Sequence, residues 1–161
     1  VIEQVKSQGI TAVIWEGIRK PSVKESINLA HKEIVKYARL AEWESVTIGE
    51  DDIVFTKPYS WDYYVVHEPK DYDLYLGMIY LGDIIDGQVK DFTGLTLYTV
   101  AQRFYDTFLD TPDDDHIDRL LANLGTYKVC DPFVVKQLNG WSSNTGKMEN
   151  YDELLRNRTF L

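Results

Sequence analysis

The spacing of apolar residues changes near residue 45, and that change limits the possible folds more than any other feature of the chain. Ser22 and Glu25 form an S-x-x-E capping box, in which each side chain can satisfy the other residue's free backbone N–H. Val23, Ile27, Ala30, Ile34, Tyr37/Ala38 and Ala41 then recur at steps of three and four. This predicts a long helix ending near Trp43, packed through Ile27, Ala30, Ile34 and Ala41, with Lys24, Lys32, Lys36 and Arg39 on its other face. From Val46 onward the period is two. Val46–Ile48 and Ile53–Phe55 flank Gly49–Asp52 as strand, turn and strand, and Tyr63–Val66 reads as a third β-type run. Asp86-Gly87 lies between two further runs and predicts a tight hairpin, because a type I′ turn needs positive φ.

The C-terminal third returns to helical spacing. Leu97, Val100, Ala101, Phe104 and Phe108 form one stripe. Thr111-Pro112-Asp113-Asp114 reads as a helix start, with Thr as cap, Pro at the first position and acids at the positive dipole end. Ile117 to Leu124 would follow, closed by Gly125. Pro132–Leu138 reads as another short helix start, Gly140–Gly146 as a polar loop, and Asn150 with Glu153 as the cap of a last helix. Residues 10–15, after Gly9, look like a short strand. The expectation is a single α+β domain over residues 1–161, with a long N-terminal helix, a central antiparallel β region and C-terminal helices. Val1 in place of an initiator methionine is what truncation at the N-terminus would leave.

Seven large aromatics crowd the stretch from Tyr59 to Tyr80: Tyr59, Trp61, Tyr63, Tyr64, Tyr72, Tyr75 and Tyr80. Tyrosine has an apolar body and a polar tip, so such density is costly to bury and useful at contact surfaces. With Trp15, Trp43, Phe55, Phe104 and Phe108 available to fill a core, this stretch divides into a core layer and a partner-facing layer. Tyr59, Trp61, Asp62, Tyr63, Tyr64, Tyr72, Asp73 and Tyr75 are the expected partner-binding residues. Asp62, Asp71 and Asp73 among the rings predict a partner with a basic surface.

The net charge of −9 argues against direct nucleic-acid binding, because phosphate contacts need a basic face. Its distribution is uneven: residues 44–118 hold 17 acids against 4 bases, and the flanks hold 9 acids against 13 bases. An acidic middle between basic ends can attract a basic partner or copies of the same chain. No apolar run approaches the roughly twenty residues a membrane span needs, so no membrane contact is expected. A lone Cys130 favours a reducing compartment, the cytoplasm or a virion interior.

Signals for chemistry are weak. Asp83, Asp86 and Asp91 surround the expected hairpin, and Asp91-Phe92-Thr93 resembles the D-x-K signature of metal-dependent nucleases, with Thr93 where the lysine belongs. Asp113-Asp114-Asp115-His116 with Asp118 lacks the turn glycine and terminal Glu of a Ca²⁺ loop. The three histidines are too scattered for a zinc set. Phosphate-cradling loops, nucleophile elbows and dinucleotide fingerprints are absent. No catalytic residue, metal or cofactor is assigned.

The order of elements (long helix, β region with a hairpin, then two helices) resembles that of neck and adaptor proteins of tailed-virus particles. The resemblance implies a non-enzymatic subunit or adaptor that forms oligomers within a larger assembly. Two alternatives from other classes stand beside it. One is an acidic inhibitor that mimics phosphate charge in the groove of a nucleic-acid-binding protein. The other is a metal-dependent hydrolase built on Asp83 and Asp91.

Overall fold

A computed structural model describes residues 1–161 and shows a mixed α+β fold with six α-helices and several small sheets. The first helix is short, α1 (Ile2–Ser7), so the long helix is not the N-terminal element. It comes second, as α2 (Val23–Leu40), 18 residues long, with the Ser22 side chain accepting from the Glu25 N–H. The face it buries differs from the expected one. Asn28, His31, Lys32, Val35 and Ala38 are inside, whereas Ile27, Ala30 and Ile34 are only half-buried and Ala41 is exposed.

Polar groups decide that rotation. Lys32 Nζ donates to the Thr111 carbonyl and, at 2.7 Å, to Asp113, while Asn28 Nδ2 donates to the Asp115 carbonyl at 2.7 Å. A buried polar group is tolerated when it is hydrogen-bonded, so the helix docks on the face whose polar groups find partners. Lys24 meets Asp115 at 2.9 Å and Arg39 meets Asp106 at 2.7 Å. Three cations of the helix thus pair with acids of the middle segment within one chain, and that segment remains strongly acidic.

The main sheet has the order β1-β6-β3-β7 and is built from β1 (Ser45–Gly49), β6 (Leu97–Ala101), β3 (Leu74–Leu76) and β7 (Tyr127–Val129). All its pairings are antiparallel except β3 with β7. The strand β2 (Ile53–Phe55) does not form a hairpin with β1 but pairs with β8 (Val135–Gln137). The strands β4 (Leu81–Ile85) and β5 (Gln88–Thr93) form the hairpin at Asp86-Gly87, whose φ values of 51° and 71° suit the tight turn expected there. At Gly82 (φ +123°) a Cβ would lie 2.9 Å from the Lys90 carbonyl oxygen, so the irregular register between Leu81 and Asp83 requires glycine. A further hairpin joins β9 (Gly140–Ser142) to β10 (Lys147–Glu149) where a polar loop was expected.

Several other expectations fail for identifiable reasons. Tyr63–Val66 belongs to a helix, α3 (Ser60–Val66), in which Ser60 and Tyr64 share the buried side. Local β propensity yields here to the packing of Tyr64. Leu97–Val100 forms a central strand buried on both sides, and such a strand reads as a continuous apolar run. Helix follows it only as a 3₁₀ turn (Gln102–Phe104) and α4 (Tyr105–Asp110). Asp113 and Asp115 are occupied by Lys32 and Lys24, and α5 (Ile117–Leu121) starts after His116 rather than after Thr111. Pro132–Leu138 carries β8, and residues 10–15 lie in no strand. The last helix is α6 (Tyr151–Leu154), capped by Asn150 accepting from the Glu153 N–H. With four strands after residue 126, the element order that resembled the neck and adaptor proteins is not the one observed.

Thirty buried residues form one hydrophobic cluster around the main sheet. No helix is long and apolar enough to cross a membrane.

Candidate partner-binding surface

The fold disperses the aromatic stretch: three of its seven rings are buried, three are half-buried and one is exposed. Tyr64 stacks on Tyr75 with centroids 4.4 Å apart, and its hydroxyl donates to the Tyr75 carbonyl at 2.7 Å beside the Thr99 hydroxyl at 3.0 Å. Tyr72 is buried with its hydroxyl on Glu68, and Tyr80 is half-buried with its hydroxyl on Gln137. Tyr75 is buried too; its hydroxyl, against the Cys130 thiol, has no oxygen or nitrogen partner. Trp61 and Tyr63 are half-buried, Trp61 on Tyr64 (5.8 Å) and Tyr63 on His67 (3.8 Å). Tyr59 and Asp62 alone of the expected partner-binding set are exposed. Asp73 accepts from Arg103 at 2.7 Å and from the Thr126 N–H at 2.7 Å, and Asp71 accepts from Arg103 at 2.6 Å. Tyr64, Tyr72 and Tyr75 are thus buried within the chain, and Asp71 and Asp73 are paired with Arg103.

Aromatic surface stands elsewhere, where core had been expected. Trp15 and Tyr37 meet edge to face at 5.6 Å, and Tyr37 and Trp43 at 5.5 Å. All three are exposed, Tyr37 by 50% and Trp43 by 45%. Val13 (82% exposed), Ile14 and Leu40, near these rings in sequence, are exposed as well. Sequence spacing placed Tyr37 on the inner stripe, but rotation of α2 onto Asn28, His31 and Lys32 turns it outward. The detectable signal was the polarity of residues 28, 31 and 32, which lie on one helical face.

A second apolar projection is the β4–β5 hairpin, on which Leu81, Ile84 and Ile85 are exposed while Val89 and Phe92 of β5 are buried. Asp83 and Asp86 are exposed on it, and Asp91 accepts from Asn123 Nδ2 at 2.5 Å. The three aspartates do not converge, and no three His, Cys, Asp or Glu side chains are grouped to hold a metal ion. The Cys130 thiol is buried and raised by that burial. Two open clefts, of about 310 and 420 Å³, are lined by Glu44, Glu68, Tyr72 and Arg103, and by Val1, Asp51, Asp52 and Leu138, respectively. Neither gathers His31, Glu50 or Cys130.

One buried titratable pair remains. His31 Nδ1 lies 2.5 Å from the Tyr98 hydroxyl, and its Nε2 lies 3.9 Å from Glu50 Oε1. Burial holds His31 down to about 4. Burial first, and then Asp52, Asp118 and Asp51, push Glu50 up to about 8, although 27% of its side chain remains accessible. Both groups are therefore neutral near pH 6, where they join α2 to the end of β1 without a buried charge.

No protein-family model matches the chain, and no curated protein matches it.

Proposed function

We propose that this chain is a non-enzymatic protein–protein interaction module, an oligomer-forming subunit or adaptor of a larger assembly. The observation that carries the reading is the exposed Trp15–Tyr37–Trp43 group, with Val13, Ile14 and Leu40 also exposed near it in sequence. Trp and Tyr dominate the energetics of protein interfaces because their large rigid area is desolvated at low entropic cost. Three exposed rings in mutual contact mark an interaction site more often than an isolated exposed residue does. The partner presents an apolar socket to these rings.

The test is affinity capture from the native source, with the native mass of the recovered complex. Tagged wild-type chain should run well above its monomer mass of 18.7 kDa. A Tyr37→Ser, Trp43→Ala double variant should be recovered alone with unchanged thermal unfolding. Wild-type chain recovered only as monomer would overturn the reading.

A further inference from the structure

Free charge next to the three exposed rings has one sign. Glu16 and Glu42 adjoin Trp15 and Trp43 in sequence, both are exposed, and neither meets a base. The cations nearest Tyr37 on α2 are already taken, Lys36 by Glu33 at 3.6 Å and Arg39 by Asp106 at 2.7 Å. Arg19 and Lys20 pair with no acid, but they lie toward the other end of α2, where Ser26 accepts from the Lys20 N–H. Along the helix Ser26 and Tyr37 are about 16 Å apart. Charge is screened over about 8–10 Å at 0.10–0.15 M ionic strength. The rings therefore stand in a negative field.

The backbone sets one of these carboxylates in place at a cost. α2 ends in a Schellman motif: the Trp43 N–H donates to the Ala38 carbonyl and the Glu42 N–H to the Arg39 carbonyl, both at 3.1 Å. Glu42 is the left-handed residue of that motif, with φ 57°, where glycine is the usual occupant. The other non-glycine residues with positive φ are Asp86, Asp91 and Asn123, types whose short polar side chains tolerate it. Glutamate lacks that compensation. Strain of this kind collects where a protein meets a ligand or partner. Here it puts an unpaired carboxylate directly before Trp43, whose ring the same turn brings to Tyr37.

We infer that the partner's apolar socket is rimmed by arginine or lysine side chains that meet Glu16 and Glu42. The inference rests on the three rings being the contact surface and adds the charge of what covers them. The occupant is a different protein, since a second copy at a net charge of −9 brings repulsion rather than a basic rim. Interfaces of this kind have an apolar centre and a polar rim. An arginine at the rim can stack on an indole face and reach a carboxylate as well. Complementary rim charge acts chiefly on the association rate and its salt dependence, whereas the desolvated rings set the lifetime of the complex.

The test uses the partner recovered from the native source, purified, and its association with immobilised full chain followed in time. At about 0.1 M NaCl, where screening extends about 10 Å, Glu16→Gln with Glu42→Gln should slow association about tenfold and leave the dissociation rate unchanged. At about 1 M NaCl, where screening shortens to about 3 Å, the wild-type and variant rates should converge. Asp83→Asn with Asp86→Asn makes the same change in net charge on the β4–β5 hairpin. There β5 packs beside β7, the edge of the main sheet opposite β1. That variant should associate within about twofold of wild type. All four side chains are exposed or half-buried and hold no ion pair, so both variants should fold. A wild-type rate that does not fall with salt, a Glu16, Glu42 variant that associates like wild type, an equal slowing in the hairpin variant, or assembly from copies of this chain alone would each overturn the inference. If Tyr37→Ser with Trp43→Ala still abolishes assembly, such a result removes the basic rim and leaves the assembly reading standing. A wild-type chain that recovers no partner and stays monomeric removes both.

Discussion

The rings between Tyr59 and Tyr80 and the rings of Trp15, Tyr37 and Trp43 have similar chemistry and opposite locations. Much of the first group is enclosed, with acceptors for three of its phenols: the Tyr75 carbonyl for Tyr64, Glu68 for Tyr72 and Gln137 for Tyr80, whereas the Tyr75 hydroxyl is buried against Cys130 without one. A buried hydroxyl with a partner costs little, and its ring contributes a large apolar area. Tyr37 has no such acceptor and lies on the outer side of α2, where its ring covers part of Trp15 and Trp43 but remains half in water. Aromatic density along the sequence is therefore a poor guide to surface. For Tyr64, Tyr72 and Tyr80 a tertiary neighbour satisfies the polar tip, and such a neighbour is invisible in the local sequence.

The largest effect separating the two groups is in stability. Tyr64→Ala should lower unfolding free energy by about 3–5 kcal/mol, the range for truncating a fully buried aromatic, read from the urea midpoint. Tyr37→Ala should stay within about 0.5 kcal/mol of wild type, as surface changes usually do. Equal losses at both positions would erase the distinction.

The pH dependence of stability sharpens the comparison from the polar side. His31 has a folded pKa of about 4, below its unfolded 6.5, so its contribution is complete above pH 6.5 and fades as pH falls toward 4. Glu50 has a folded pKa of about 8, above its unfolded 4.5, so its contribution is complete below pH 4.5 and fades as pH rises toward 8. The two windows cancel where they overlap, between pH 4.5 and 6.5, so the net alkaline limb amounts to about 2 kcal/mol and the net acid limb to less than about 1 kcal/mol. Stability should peak near pH 5–6 in urea titrations, and Glu50→Gln should flatten the alkaline limb. A wild-type stability that climbs from pH 6 to 8 would instead mean that Glu50 is ionised in the fold.

Lys32→Ala, which strips the Thr111 carbonyl and Asp113 of their donor, should cost about 1–3 kcal/mol in the same assay. An unchanged midpoint would show that Lys32 does not orient α2.

Much of the local structure was legible in the sequence. The capping box at Ser22, the Asp86-Gly87 turn and the Asn150 cap depend on near neighbours and stand where the residue types placed them. What was illegible depended on contacts distant along the chain. β1 pairs with β6 rather than with its neighbour β2, and β8 lies 80 residues from the strand it joins. The buried face of α2 is chosen by Thr111, Asp113 and Asp115, residues that no helical wheel contains. The burial of two rings of the aromatic stretch was illegible for the same reason, because Tyr64 of α3 and Tyr75 of the interior strand β3 cover each other.

The central claim, that contact runs through the N-terminal segment and α2 rather than through the Tyr59 region, is tested most directly by capture with two matched double variants. Tyr37→Ser with Trp43→Ala should abolish recovery of the partner complex, and Tyr59→Ala with Trp61→Ala should leave it intact, both chains remaining folded by near-ultraviolet circular dichroism. The reverse pattern, with the partner lost only in the Tyr59, Trp61 variant, would contradict the claim.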